Sequence, residues 1–351
     1  EKNKWIEENI EKIRSGETSL DQNPYFGIPN MIQFGYDFSD FDLHEVFSEG
    51  KVNFLNLFKT TGLKFKHEVE ILRMLKAIDG TERKDGVMAI LDSPSLKKEN
   101  MCKHIVMVLP RKEACDAMEK LLNDNREVLK NLGEYKVVKI SSKRGNLDTD
   151  DVKNIIKSED EAGNKTISLT VVQMLTGVSV PEWDTMFYMK DGDAAQPYDQ
   201  ARFRIQTPNI GERIVLNLKD DGTVKPLFDE NGKQVTVKID KKPQTLFVDF
   251  SVERCYKILY DRLKTECDLD GKGEEGIYDS MVEKFKKYMK FMPIVTRNVD
   301  KLQEVEVENM MRLIFSSYIK TTLKGKTDGD RIGNMDFVSG LDFSKGDYSF
   351  L

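Results

Sequence analysis

Between residues 104 and 250 the chain alternates two textures. Short apolar runs, His104–Leu109 (HIVMVL), Lys136–Ser142 (KVVKISS), Thr166–Val172, Thr185–Met189 and Leu246–Phe250, read as strands. An apolar, β-branched-rich run with little polar alternation is what a strand buried on both faces requires. Between them lie stretches of helical period. Pro110 closes the first run, and Arg111–Asn123 then turns Ala114, Met118, Leu121 and Leu122 inward. A short helix capped by Asp150 or Asp151 ends near Ser158, and Tyr198–Ile205 forms another. Strands alternating with helices of this length predict βαβ units around a mainly parallel sheet, an α/β fold. Arg213–Leu218 reads as one more strand. The turn residues Asp220-Asp221-Gly222 and Asp229–Gly232 flank alternating positions and predict a β-hairpin insertion at 219–244.

Outside this block the pattern is less regular. Residues 1–100 read as a mixed α+β accessory segment, with a charged helix at Lys4–Ser15, an apolar run at Gly27–Tyr36 and a helix at Phe65–Ile78. That helix is expected to bury Val69, Leu72, Leu75 and Ile78, which recur at three-residue steps. After Phe250 the texture is helical: Val252–Thr265, a Gly-rich acidic linker at Asp268–Gly276, Ile277–Phe291 and Asp300–Thr321. The expected division is therefore 1–100, 101–252 with its hairpin insertion, and a helical region at 253–351.

Composition narrows the class. Across 351 residues, 54 Lys+Arg stand against 60 Asp+Glu for a net charge of −6, with 32% charged and 39% hydrophobic residues. This is an ordinary globular profile. The mild acidity argues against bulk polyanion binding while allowing a local basic track. No uncharged apolar stretch approaches the roughly 18–20 residues that span a bilayer, and the charged first helix is no signal peptide. The four cysteines (Cys102, Cys115, Cys255, Cys267) lack CxxC spacing and the histidines number three. We therefore expect a reducing, cytoplasmic setting, no membrane partner and no metal ligands of this chain's own. The sequence opens on Glu1 without an initiator Met, from which an upstream part is expected to be missing.

The candidate chemistry lies in Lys165–Pro208. A buried strand emerges at Thr170, and the segment Thr176-Gly177-Val178-Ser179-Val180-Pro181 follows. A glycine there lets backbone approach a ligand closely, and the flanking hydroxyls can bond phosphate or ribose oxygens. The helix after the next strand presents Gln200, Arg202 and Arg204 near one turn. At the C-terminal edge of a parallel sheet, such planar forks would be placed for phosphate recognition.

In this order the segments resemble motifs IV (His104–Ala114), V (Thr170–Pro181) and VI (Gln200–Arg204) of superfamily-two DEAD/DEAH-box helicases, in their second, C-terminal RecA-like domain. The flavour is similar to the helicase subunit of type III restriction-like enzymes. The resemblance implies a RecA-like parallel sheet flanked by helices. It implies ATP and Mg2+ held mainly by a missing N-terminal RecA-like domain, with Arg204 as arginine finger and Gln200 orienting it. Gly177 and Ser179 would sit at the nucleotide. Thr170, Thr176, Arg111, Lys143 and Arg144 would grip the backbone of a nucleic acid, DNA in a restriction or phage setting, where a methyltransferase or nuclease module accompanies the motor. Three positions depart from the family pattern: Phe203 replaces a Gly, Thr207 an Arg, and Ser179 a ribose-contacting Asp. These departures make Arg202 a second finger candidate.

The chain contains no GxxxxGK[ST]; Gly325-Lys326-Thr327 follows a helical pattern, with Lys320 where the first glycine would stand. His44-Glu45 and His67-Glu68 lack the second His of a zinc helix, and there is no GxSxG. The expectation is a motor half with no ATPase activity by itself. The alternative is a RecA-like domain that has lost catalysis and serves as a scaffold or protein-interaction module.

Overall fold

The computed structural model of the chain describes residues 2–35, 47–48, 51–82, 89–98, 101–142, 145–171, 179–192, 194–218, 224–251, 254, 258, 274–291, 294–298 and 301–304. Its centre is an eight-stranded sheet. The strands are β1 (Asn30–Gly35), β2 (His104–Val108), β3 (Lys136–Lys139), β4 (Thr166–Thr170), β5 (Thr185–Tyr188), β6 (Gln244–Asp249), β7 (Ile294–Asn298) and β8 (Lys301–Glu304). Their spatial order is β8-β7-β1-β6-β5-β2-β4-β3. Every strand pairs in parallel with its neighbours except β8, which returns antiparallel on β7. The expected α/β fold, a parallel sheet flanked by helices, is what the chain forms.

The apolar runs bury both faces by alternation. Ile105 and Met107 of β2, Phe187 of β5, and Leu246 and Val248 of β6 face one layer; Val106, Val108, Met186, Tyr188 and Phe247 face the other. The first layer is roofed by α1 (Glu68–Asp79) and α2 (Lys112–Asp124), the second by α3 (Thr149–Glu161) and α4 (Ala195–Arg204). A further helix, α5 (Glu274–Phe291), buries Met281 and Phe285. Each fully buried large apolar side chain contributes about 1.5–3 kcal/mol.

Several expectations are corrected. Helix α1 buries Ile71, Met74, Leu75 and Ile78 and leaves Val69 58% exposed. Three-residue steps fall about 60° short of a full turn each, so the buried stripe follows i, i+3, i+4, i+7 instead. The cap of α3 is Asp148, whose carboxylate accepts the Thr149 N–H at 2.7 Å, and the helix runs on to Glu161. Arg213–Leu218 is no strand of the main sheet: the insertion begins at Ile210, pairs with Thr236–Asp240, and stands apart from the sheet. Residues 301–304 are a strand, where a helix from Asp300 was expected; the remainder of that segment lies outside the described residues, as does most of Val252–Thr265. The sheet also crosses the expected divisions at 100 and 252, since β1 joins β6 and β7 joins β1. The apolar run expected at Gly27–Tyr36 supplies β1, whose partner β6 is more than 200 residues away in sequence, which no local pattern reveals.

Where β6 ends, Asp249 is buried beside Arg254, which is 5% exposed. The guanidinium Nε donates to Asp249 Oδ2 at 3.1 Å and Nη2 donates to Oδ1. Nη1 donates to the carbonyls of Lys190 and Gly192, and the group lies 4.8 Å from the Tyr188 ring centre. This fork ties the end of β6 to the loop that feeds α4. Arg254→Met leaves a buried carboxylate without its counter-charge and is expected to cost about 3–5 kcal/mol of stability, read as a fall in the urea midpoint.

Candidate functional site

Helix α4 starts beyond the C-terminal end of β5 and is ten residues long. It therefore rises about 15 Å, close to the length of a five-residue strand at about 3.3 Å per residue. Running back over the sheet, it ends at the opposite edge. There Lys242 Nζ donates to the carbonyls of Ile205 (2.9 Å) and Trp183 (2.8 Å), and Gln206 Nε2 donates to the carbonyl of Pro29 at 3.4 Å. Pro29, Trp183 and Lys242 all precede strands. The expected placement of the two arginines at the C-terminal edge is thus corrected: Arg204 sits at the N-terminal edge, because the helix is as long as the strands are.

At that edge Arg204 is half-buried, and its Nη1 donates to Ser179 Oγ at 3.2 Å. This bond joins the end of the Thr170–Pro181 segment to the end of the Gln200–Arg204 helix. Gln200 is exposed one turn earlier on the same helix. Arg202 is only 1% exposed. Its Nη1 donates to Gln33 Oε1 at 3.3 Å, its Nη2 lies 3.2 Å from Asp199 Oδ1, and Gln33 Nε2 in turn donates to the Tyr198 hydroxyl at 2.7 Å. Arg202 is therefore a tether between α4 and β1, and its guanidinium does not reach solvent.

Two of the expected backbone grips, Arg111 and Thr170, fall at the other edge. Arg111 is exposed at the start of α2, just beyond β2. Thr170 is fully buried, its hydroxyl shared between Ser141 Oγ (3.1 Å) and the Val171 carbonyl (3.3 Å). Thr176, Gly177, Lys143 and Arg144 lie outside the described residues. Cys102 and Cys115 are buried, and burial pushes both thiols up to about 12, as suits small apolar fillers. Among the described residues no cluster of three or more His, Cys, Asp or Glu is arranged to hold a metal ion, and no helix is long and apolar enough to cross a membrane.

Two charged residues at the N-terminal edge escaped the sequence reading. Asp184 is 4% exposed; its Oδ2 accepts the N–H groups of Lys103 (3.0 Å) and His104 (2.9 Å), and its Oδ1 accepts the Thr185 hydroxyl at 2.6 Å. Burial lifts its carboxyl to about 6 against those donors. Lys242, also 4% exposed, is lowered by burial to about 8, opposed by the charges of Asp184, Glu182 and Asp240. The only sequence signal for either was a charged residue just ahead of an apolar run, a common pattern.

A 28% identical relative aligns over 206 residues, 56% of this chain: a curated Mycoplasma pneumoniae protein that carries the description of the C-terminus of a type II restriction enzyme and methyltransferase. The chain spans 28% of that relative's length. No protein-family model matches the chain. Among solved structures, the C-terminal part of the Fun30 ATPase domain aligns with 72% of this chain and 54% of its own at 10% identity and a TM-score of 0.29. The Mss116p DEAD-box helicase domain 2 bound to an RNA duplex aligns with 83% of this chain and 86% of its own at 9% identity and a TM-score of 0.27.

The Lys242 ammonium gives the edge a pH signature. A lysine lowered on folding contributes stability that is present above its unfolded value of 10.5 and lost as pH falls through about 8. Asp184, raised on folding, contributes stability that is present below its unfolded value of 3.8 and lost as pH rises through about 6, outside that window. The buried thiols Cys102 and Cys115, raised to about 12, lose stability in the same range as pH rises, so the lysine is read as a difference. From pH 7.5 to 10.5 the urea midpoint of the wild type is expected to rise relative to that of Lys242→Met. A constant difference between the two proteins would contradict the assignment.

Proposed function

We propose that this chain is the C-terminal motor half of an ATP-dependent DNA helicase or translocase of the restriction-modification type. The observation that carries the reading is the Arg204–Ser179 hydrogen bond. It brings together the ends of two segments that resemble helicase motifs V and VI, on a sheet whose strands run parallel around the motif IV strand β2. The description of the Mycoplasma relative supports a restriction-modification setting, with a methyltransferase or nuclease module as partner.

Of the expected cofactors, this chain's residues fit the nucleotide: a half-buried guanidinium and a hydroxyl can meet phosphate and ribose oxygens across a cleft. Among the described residues no carboxylate cluster is arranged for Mg2+, and in this reading the ion would be held by an N-terminal RecA-like partner domain. The part left to Arg204 is electrostatic. Released from Ser179, its fork neutralises charge developing on a phosphoryl group held by that domain. Gln200, one turn away and exposed, is placed to orient it. Arg202 serves as a tether, and Arg111 as an exposed cation for the DNA backbone.

One observation favours the rival scaffold reading: Arg204 lies at the edge away from the C-terminal ends of the strands, where phosphate sites of open α/β sheets gather. Hydrolysis separates the two. In the full-length parent protein, Arg204→Ala is expected to lower DNA-stimulated ATP hydrolysis by about a thousandfold or more. The 351-residue chain alone should show no turnover above its Arg204→Ala control. Hydrolysis unaffected by Arg204→Ala in the parent protein would leave the scaffold.

A further inference from the structure

Ahead of α1 the chain forms a basic hairpin outside the segments that resemble helicase motifs. Thr60–Thr61 pairs antiparallel with Lys64–Phe65, and Lys66 N donates to the Lys59 carbonyl at 2.8 Å. Gly62 turns the chain at φ +64°, with open space around it. The root of the hairpin is fixed at the C-terminal edge of the sheet. Asp191, just beyond β5, accepts the N–H groups of Phe54 (2.9 Å) and Leu55 (2.6 Å), at the start of the short helix Phe54–Leu57. Phe58 then meets Phe65 edge-to-face at 5.7 Å, and the hairpin packs against α2, just ahead of which Arg111 is exposed.

Residues 59–67 contain three lysines and no acid, in a chain of net charge −6. Side chains alternate along a strand, so with Phe65 and Thr60 turned inward, Lys59, Lys64 and Lys66 share the outer face. All three are exposed, and none has an ion-pair partner among the described residues. Glu68 and Glu70, the next acids, stand in the first turn of α1, where the helix dipole favours them. Lysines elsewhere around the sheet are neutralised: Lys76 by Glu82, Lys130 by Asp92, Lys136 by Glu159 and Lys139 by Asp116. Lys59 and Lys66 stand directly across the strand pair, where like charges repel. An anion lying over the face relieves that repulsion, and ammonium groups are point-charge donors for phosphate oxygens. The hairpin exposes no aromatic ring, since Phe65 is buried, and so offers no stacking platform for the bases of a single strand. Phosphates on the outside of a duplex are what it can meet.

We propose that this hairpin is a contact for the phosphate backbone of duplex DNA, at the edge where Arg111 is exposed. The inference stands on charge and packing, independently of the motor reading, and no nucleotide enters its test. Fluorescence anisotropy of a labelled duplex of arbitrary sequence follows binding to the 351-residue chain across a salt series. Combined Lys59→Ala, Lys64→Ala and Lys66→Ala should weaken binding about tenfold at low salt. The slope of log affinity against log salt should fall by about 2–3, at about 0.9 for each lost phosphate contact. Alanines at Lys153, Lys157 and Lys165, which already have acidic partners, should leave that slope unchanged. Arginine at all three hairpin positions keeps the charge and should keep the binding. The hairpin lysines are exposed, so a thermal midpoint no lower than that of the wild type reports an intact fold. A wild type that leaves the duplex unbound at low salt overturns the proposal, as does an alanine variant that binds like the wild type. Equal losses in the two alanine variants reduce the effect to net charge and overturn it too. So does a single strand that competes better than the duplex.

Discussion

A single buried ammonium sets the geometry of the proposed site. Lys242 shares its N–H donors between the carbonyls of Trp183 and Ile205, so the end of α4 is fastened to the start of β5. A helix C-terminus carries unsatisfied carbonyls and partial negative charge, and a lysine there meets both. Arg204 is the neighbour of one fastened residue, and Ser179 lies four positions before the other. Their meeting follows from the clamp more than from any attraction between a guanidinium and a hydroxyl. Burying the charge is costly, and the carboxylates of Asp184, Glu182 and Asp240 offset part of that cost.

The other edge is held by the opposite arrangement. Asp249 and Arg254 form a forked pair that also takes the Lys190 and Gly192 carbonyls, so α4 is fixed at its entry and at its exit by different cations. Asp191 extends the network by accepting the Phe54 and Leu55 N–H groups, capping a short helix far away in sequence. Between the two anchors, Arg202 joins the helix to Gln33 in the middle of β1. Three of the most buried charged side chains in the described structure thus serve one helix.

How legible this was in the sequence depends on range. The strands β2, β4, β5 and β6 announce themselves because a run buried on both faces must be apolar throughout, and α2 because its inward residues repeat at helical period. The apolar run of β1 was visible, but its place in the sheet was not, since pairing with β6 leaves no local mark. The insertion was placed too far along because Arg213–Leu218 alternates as any strand does, and alternation does not say which sheet receives it. At the site, residue types and order pointed to Arg204 and Ser179. The edge at which they meet required knowing that the helix matches the strands in length. Arg202 and Arg204 differ by two positions, which is enough to turn one inward; the local composition treats them alike.

The pairing of β1 with β6 has a consequence for synthesis. The N-terminal strand is made early, yet both of its neighbours come from the far part of the chain. At about 5–20 residues per second, the ribosome needs on the order of ten to forty seconds to deliver β6. Throughout that interval an apolar segment with bare main-chain donors and acceptors waits in solvent, so the nascent polypeptide has a defined period in which a holding chaperone would matter most.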